Sequence, residues 1–213
     1  MDNKTIIISC AGVGSRLGRG IPKCLVEVDG KSLIERVLTD ESMMKQTDIR
    51  VVVGFMKKAV MDKVKSIRPD VTFVHNDNYL GTKTGGSISL ALKNSREYVL
   101  TVDGDVIFHP ESLKKMLDAD YEYVCGTEIE TTGPVIMHIE DGNVMSFSRD
   151  FGEYEWTGSA CLKRDNFKLG DGHAYQMFES NLPKKFMFIE SREIDTEEDF
   201  IVAENWVKNG YKS

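Results

Sequence analysis

A short apolar run near the start of the chain, followed at once by glycines and cations, constrains the fold most. Ile6 to Ile8 predicts a buried strand, which leads into a loop that contains Gly12 and Gly14. Glycine lets the backbone turn sharply and lets successive N–H groups approach one anion, because no side chain blocks the way. Arg16 and Lys23 follow with positive charge, the first as a planar fork and the second as a compact ammonium. This stretch therefore predicts a site for a polyphosphate.

Two well-known phosphate-binding loops have a different spacing. A Walker loop places Lys and then Ser or Thr directly after its last glycine, whereas Lys23 stands behind a proline. The dinucleotide fingerprint requires G-x-G-x-x-G, and Gly12, Gly14 and Gly18 miss that spacing by one residue. An ordinary strand-to-helix turn with two basic residues is the remaining alternative.

The stretch resembles the signature of nucleotidylyltransferases, which join an NTP to a phosphorylated sugar or alcohol. Residues 11–16 read A-G-V-G-S-R and residues 22–25 read P-K-C-L, similar to the family's A-G-x-G-S-R and P-K-x-L. The resemblance implies catalytic roles for Arg16 and Lys23. It also implies that this loop binds the nucleotide, through Ala11, Gly12, Gly14, Ser15, Arg16 and Lys23.

A second glycine segment precedes a predicted helix. Gly85, Gly86 and Ser87 lie where that helix begins, near the carboxyl ends of the predicted strands, and open α/β sheets bind ligands at that edge. The resemblance implies that these residues bind the base and ribose, with Asp103 as a further nucleotide contact. A helix cap built from permissive glycines is an equally good interpretation of the three residues.

Acidic residues end a predicted strand and precede the last helix. Asp103-Gly104-Asp105 follows the strand predicted over 98–102, and carboxylate oxygens suit Mg²⁺, which keeps several waters beside substrate phosphates. A turn with two capping acids is the alternative. The resemblance implies that Asp105 is a catalytic metal ligand and that Asp195, in I-D-T-E-E-D, is the second. Asp199 is left as the partner of Thr196 in a capping box.

The acceptor is expected near Glu155, Trp156 and Gly158. Aromatic and acidic side chains precede a glycine there, and the family uses the equivalent segment to contact the acceptor. Ring faces and carboxylates together would hold a quaternary ammonium group. Packing in the core or at the rim is the alternative for Trp156 and the favoured interpretation for Tyr154.

The length and composition place limits on the class of protein. The 213 residues predict one domain, 1–213, and no apolar run approaches the length of a membrane span. The four cysteines lack metal-ligand spacing, and no signal peptide is visible, so we expect reduced thiols and a cytoplasmic location. A net charge of -7 disfavours nucleic acid as a partner. The oligomeric state stays open, a homodimer included.

Alternating strand and helix patterns predict an α/β protein with parallel pairing. Single elements include a helix over Ser32–Met44, a strand over Ser159–Leu162, a last strand over Phe186–Ile189 and a closing helix after Thr196. The resemblance implies a three-layer Rossmann-like nucleotide-diphospho-sugar transferase fold. Its central sheet would be mostly parallel, with a small, partly antiparallel acceptor lobe.

The function implied by the resemblance is Mg²⁺-dependent nucleotidyl transfer with release of pyrophosphate. CTP is the favoured NTP and a phosphorylated alcohol or sugar the acceptor, so that CDP-choline or CDP-inositol would be typical products. The alternatives are guanylyl or other nucleotidyl transfer to a cofactor, a nucleotide-binding regulatory module, and a glycosyltransferase. A glycosyltransferase has no need for the pair of Arg16 and Lys23.

Overall fold

The first predicted strand lies inside a nine-stranded sheet in the computed structural model, which describes residues 3–212. The strands are β1 (Lys4–Cys10), β2 (Glu27–Val28), β3 (Lys31–Ser32), β4 (Ile49–Val53), β5 (Thr72–His75), β6 (Tyr98–Asp103), β7 (Val106–Phe108), β8 (Tyr123–Thr127), β9 (Ile136–Glu140), β10 (Asn143–Ser148), β11 (Tyr154–Lys163), β12 (Lys184–Phe188) and β13 (Ser191–Glu193). The helices are α1 (Leu33–Leu38), α2 (Glu41–Met44), α3 (Lys57–Ile67), α4 (Thr84–Ala91), α5 (Pro110–Asp118) and α6 (Glu197–Lys208), with 3-10 turns at Lys23–Leu25, Arg164–Asn166, Ala174–Met177 and Glu179–Asn181.

The sheet has the order β5-β4-β1-β6-β11-β8-β12-β10-β9. β5, β4, β1 and β6 are parallel, β11 runs antiparallel to both β6 and β8, and β12 runs parallel to β8. The predicted α/β class is therefore confirmed. The antiparallel strands differ from the expected small lobe in one respect, because they continue the same sheet instead of forming a sheet of their own.

Helices cover the two faces of this sheet. Ile6 and Ile8 pack with residues of α1, α2, α3 and α5, whereas Ile7 packs on the opposite side with α4 and the 3-10 turn Ala174–Met177. All three isoleucines are fully buried, which is why the run is apolar at every position instead of alternating. A third cluster joins α6 to β2, β7 and Leu17 of the first loop.

The helix predicted over Ser32–Met44 is interrupted. α1 ends at Leu38, and α2 begins after Asp40, whose carboxylate accepts the N–H groups of Ser42 and Met43. An aspartate that satisfies free N–H groups starts a helix better than it continues one, so the chain turns at this position.

Two strand predictions are also wrong in extent. β12 is not the last strand, because β13 follows and pairs antiparallel with β7 in a separate two-stranded sheet. β13 has three residues and all of them are polar, so a search for apolar runs does not find it. β11 begins at Tyr154 instead of Ser159, and its register shifts between Trp156 and Ala160.

The closing helix begins as predicted. The hydroxyl of Thr196 accepts the N–H of Asp199, and the carboxylate of Asp199 accepts the N–H of Thr196 at 2.7 Å. The same carboxylate accepts the N–H of Asp195 at 3.1 Å. The capping box is therefore confirmed, and it fixes the backbone at Asp195.

Candidate active site

A cavity of about 470 Å³ opens at the carboxyl ends of β1 and β6. Its walls include the end of β1 at Ser9, the end of β6 at Asp103 and the start of α4 at Thr84. A smaller cavity of about 240 Å³ continues beneath the first loop. Parallel strands bring their carboxyl ends to one edge, and the predicted site residues gather there for that reason.

The first loop surrounds the smaller cavity, and the space around its glycines differs from one position to the next. Gly14 has φ +65°, and a Cβ on it would lie 2.5 Å from Cγ of Lys23, so the lysine stem crosses directly over this glycine. A Cβ on Gly12 would meet nothing within 4 Å. Gly12 and Ser15 both line the smaller cavity. Ala11 lies in the wall of the larger cavity and is nearly buried.

The cations of the loop reach the acids at the strand ends. The ammonium of Lys23 donates to Asp105 at 2.8 Å and forms a still shorter ion pair with Asp195. The guanidinium of Arg16 lies 2.6 Å from the other oxygen of Asp195. Burial disfavours the charged form of Lys23, but the two carboxylates outweigh burial and raise its pKa. Three distant segments of the chain thus form one charged cluster, which consists of Arg16, Lys23, Asp105 and Asp195.

Glu193 is a member of this cluster that the sequence reasoning missed. Oxygen atoms of Asp105, Glu193 and Asp195 all lie within 4.8 Å of one another. Burial and the neighbouring charge of Asp105 raise the pKa of Glu193 to about 9. Glu193 ends β13, and residues two apart in an extended segment share a side, so its spacing from Asp195 was the available signal.

Three carboxylates in a partly buried site are suited to a divalent cation. Carboxylate oxygens are the ligands of Mg²⁺, which requires few protein ligands beside phosphates and water. Without a cation, the charges of Asp105 and Asp195 are balanced by Lys23 and Arg16. The donor set therefore fits Mg²⁺ at Asp105, Glu193 and Asp195.

Asp103 lies deeper than Asp105. Burial, followed by the charge of Asp105, raises the pKa of Asp103 well above its usual range. A Cβ on Gly158 would lie 2.1 Å from Oδ2 of Asp103, and Gly158 has φ +77°. The irregular register of β11 thus makes room for Asp103, and both residues line the larger cavity.

The second glycine segment reaches the cavity through only one of its predicted residues. Ser87 lines the cavity, whereas Gly85 and Gly86 pack against the protein. A Cβ on Gly85 would lie 2.6 Å from the carbonyl oxygen of Gly172, and one on Gly86 would lie 2.6 Å from Cβ of Thr82. Packing within the fold accounts for the absence of a side chain at both positions.

Glu155 faces a loop of the protein. The carboxylate is 4% exposed and accepts the N–H groups of Glu130 and Thr131, each at 3.1 Å, together with the Thr131 hydroxyl. It thereby fixes the segment 130–134, whose residues 131–134 form one wall of the larger cavity. Glu155 lines the larger cavity as well, and the acceptor contact that the sequence predicts stays a prediction.

Trp156 and Tyr154 have different surroundings. Trp156 lines the cavity, and its ring centroid lies 5.7 Å from that of Phe147 and 5.8 Å from that of Tyr175. Its indole N–H has no acceptor among residues 3–212. Tyr154 stacks on Phe186 at 4.6 Å, away from the cavity walls. The favoured packing role of Tyr154 agrees with this contact.

The sequence analysis did not identify a second group of basic side chains on the cavity wall. Lys83, Arg149 and His173 all line the cavity. Burial, followed by the charges of Arg149 and Lys83, lowers the pKa of His173. These residues come from separate segments and carry no shared motif, so only the folded chain brings them together.

Part of the chain is similar in sequence to known proteins. A sequence profile of the MobA-like NTP transferase domain matches residues 6–142. The bifunctional protein GlmU of Neisseria meningitidis serogroup C is 35% identical over 117 residues, which is 54% of this chain and 25% of GlmU. The chain therefore spans about a quarter of the length of the curated relatives it matches.

Solved structures share the fold over the whole chain. The CTP:phosphocholine cytidylyltransferase LicC from Streptococcus pneumoniae gives a TM-score of 0.79 at 19% identity, covering 96% of this chain and 99% of LicC. The inositol-1-phosphate CTP transferase from T. maritima gives 0.78 at 16% identity, covering 99% of this chain and 98% of that enzyme. The predicted nucleotide-diphospho-sugar transferase type of fold is confirmed. No helix within residues 3–212 is long and apolar enough to cross a membrane.

Proposed function

Since the chain belongs to the MobA-like NTP transferase domain family, we propose that it transfers a nucleotidyl group from CTP to a phosphorylated alcohol and releases pyrophosphate. One domain, residues 1–213, would carry the reaction. The supporting observation is the contact of Lys23 with both Asp105 and Asp195, beside Glu193. A lysine beside three carboxylates supports the proposal, because the lysine suits phosphate and the carboxylates suit a divalent cation.

The roles of the residues follow from their positions. Attack by a phosphate oxygen of the acceptor on the α-phosphorus forms one P–O bond and breaks the bond to pyrophosphate. The attacking phosphate is already an anion, so positioning and charge stabilisation supply most of the catalysis. Lys23 stabilises the charge at the α-phosphate, while Arg16 and the backbone of residues 12–15 hold the departing pyrophosphate.

Asp105, Glu193 and Asp195 would hold Mg²⁺. When bound there, Mg²⁺ would supply positive charge to the carboxylates and to the phosphate groups of the substrates. Lys23 and Arg16, which pair with these carboxylates in the structure, then have their charges available for phosphate. The ion pairs of the free protein thus keep both cations close to the positions where the triphosphate needs them.

CTP and an alcohol phosphate are the specific part of the proposal. The likeness to the two CTP-dependent enzymes named above supports this choice. Ala11, Ser87 and Asp103 line the side of the cavity proposed for the nucleoside, with Thr84 beside them. Trp156 and the wall of residues 131–134 are proposed for the acceptor, with Gly158 between the two sides.

The test is an assay of the purified protein with each of the four NTPs, Mg²⁺ and a panel of phosphorylated alcohols and sugars, with phosphate release measured through added pyrophosphatase. We expect release with CTP and with one class of acceptor. Omission of Mg²⁺ and the Lys23→Ala variant are the matched controls. Release with GTP alone would favour guanylyl transfer instead, and tight NTP binding without release would favour a binding module.

A further inference from the structure

Two cysteines meet beneath the phosphate loop, and the proposed reaction uses neither. Cys10 ends β1, and Cys24 follows Lys23 in the 3-10 turn. A Cβ on Gly104 would lie 2.5 Å from Sγ of Cys10 and 3.3 Å from Cβ of Cys24, so both cysteines press on the same glycine. Both thiols are free. Two free thiols that pack against the same glycine need little movement to become a disulfide.

The pair is reached from the cavity. Cys10 is 5% exposed and Cys24 is 2% exposed, yet both line the smaller cavity, together with Gly12 and Arg16. The opening proposed for phosphate groups therefore also leads to the thiols. A small neutral oxidant would enter by this route without any unfolding of the sheet.

The other two cysteines provide a comparison inside the same chain. Cys125 in β8 and Cys161 in β11 are fully buried, and neither lines the two cavities of the site. Only Cys10 and Cys24 combine packing against one glycine with a path from the cavity.

We propose that Cys10 and Cys24 are a redox modification site, at which hydrogen peroxide forms a reversible disulfide that inactivates the phosphate site. One sulfur attacks the peroxide, the O–O bond breaks, and a sulfenic acid and water form. The second sulfur attacks the sulfenic sulfur, the S–S bond forms, the S–O bond breaks, and a second water leaves. The two thiols lose two electrons in total, and the peroxide gains them.

The disulfide would act through Lys23. A covalent S–S bond is shorter than a non-bonded contact between two sulfur atoms, so the 3-10 turn carrying Cys24 must move toward the end of β1. Lys23 is the adjacent residue and has to reach both Asp105 and Asp195. A displacement of about 1 Å in a positioned group can reduce turnover by about a hundredfold.

Peroxide treatment of the full chain tests the chemistry directly. The Cys125→Ala/Cys161→Ala double variant keeps only the proposed pair. After hydrogen peroxide we expect its intact mass to fall by two hydrogen atoms, a cross-linked peptide joining Cys10 to Cys24, and full recovery with a thiol reductant. Cys10→Ala and Cys24→Ala, each checked by thermal unfolding, should show no such cross-link. Separate sulfinic acids without a cross-link in the double variant would overturn the proposal.

Inorganic pyrophosphate with Mg²⁺ tests the consequence without any assumption about base or acceptor. We expect the reduced double variant to bind pyrophosphate at least about tenfold more tightly than the oxidised form, and bound pyrophosphate to slow the cross-linking. Equal affinity before and after a complete cross-link would overturn the inactivating role. Absence of pyrophosphate binding to the reduced protein would instead count against the proposed function, so the two failures are distinguishable.

Discussion

The ammonium of Lys23 donates to the carboxylate of Asp105 across 2.8 Å, although the two residues are 82 positions apart in the sequence. The contact exists because β1 and β6 are parallel neighbours, so the loop after β1 and the turn after β6 leave the same edge of the sheet. Asp195 joins them from the segment after β13. The predictions below follow from this cluster and from the elements that hold it.

Lys23→Ala should reduce turnover by at least about a hundredfold, the effect of removing one preorganised charge-stabilising group. The variant also leaves Asp105 and Asp195 without their most buried counter-charge, so its melting temperature without Mg²⁺ should fall. Steady-state kinetics and thermal unfolding measure the two effects. Lys45→Ala is the matched control, because Lys45 forms an exposed ion pair with Glu41 at the end of α2. Its turnover and its melting temperature should equal those of the wild type. Near-normal turnover of Lys23→Ala would remove this residue from the proposed site.

Glu193→Gln should weaken Mg²⁺ binding by about tenfold or more, the scale found when a group that supports metal coordination is lost. The measurement is the rise in melting temperature with Mg²⁺ concentration, because a ligand that binds only the folded state stabilises it. Glu190→Gln, at an exposed position three residues earlier, should behave as the wild type. An unchanged Mg²⁺ dependence in Glu193→Gln would leave Asp105 and Asp195 as the only carboxylate ligands of the proposal.

Glu155→Gln should raise the KM for the acceptor by about tenfold and leave the KM for the NTP unchanged. The carboxylate holds the N–H groups of Glu130 and Thr131, and hydrogen bonds to a charged group contribute about 1.5–3 kcal/mol each. Their loss would loosen the wall of residues 131–134 without touching the phosphate loop. Glu140→Gln, exposed at the end of β9, is the control. Equal changes in both KM values would contradict a role confined to this wall.

Gly14→Ala and Gly12→Ala form a matched pair within one loop. Gly14→Ala should lower the free energy of unfolding by about 1–2 kcal/mol, the cost of a left-handed backbone for a residue with a Cβ. It should also displace Lys23, whose Cγ occupies the space of the new methyl group. Gly12→Ala has free space and should keep its stability within about 0.5 kcal/mol. Denaturant unfolding of both variants decides the point, and equal stabilities would contradict it.

The stability of the protein should depend on pH through Glu122, which immediately precedes β8. Burial raises the pKa of this carboxyl, but the ammonium of Lys184 at 2.6 Å and the N–H of Lys163 at 2.9 Å outweigh burial, so its pKa lies below the usual range. A depressed pKa contributes stability above the pKa of the unfolded chain, and that stability is lost as the pH falls through the folded value.

Glu122→Gln should therefore be less stable than the wild type at pH 7, by about 1–3 kcal/mol. The difference between the two should shrink as the pH falls below the ordinary pKa of glutamate, about 4.3. Urea unfolding of both proteins between neutral and acidic pH measures this difference. A stability difference that stays constant with pH would show that the charge of Glu122 does not contribute.

The sequence by itself determined the elements with strong local causes. The apolar run Ile6 to Ile8, the glycines after it and the capping box at Thr196 and Asp199 each follow from backbone geometry or burial over a few residues. These features led to the family signature, and with it to Lys23, Asp105 and Asp195 as one expected site. The parallel half of the sheet followed from the alternation of strands and helices.

Only the tertiary structure decided which groups share the site and which are used elsewhere. Glu193 joins the carboxylates because β13 pairs with β7, a contact between two three-residue strands. The carboxylate of Glu155 accepts the N–H of Glu130, and Gly85 packs against the carbonyl of Gly172. Such contacts join segments that are distant in sequence, and their geometry depends on how the whole sheet twists and packs. Local patterns fix the chemistry that each segment offers, whereas long-range packing fixes which partners it meets.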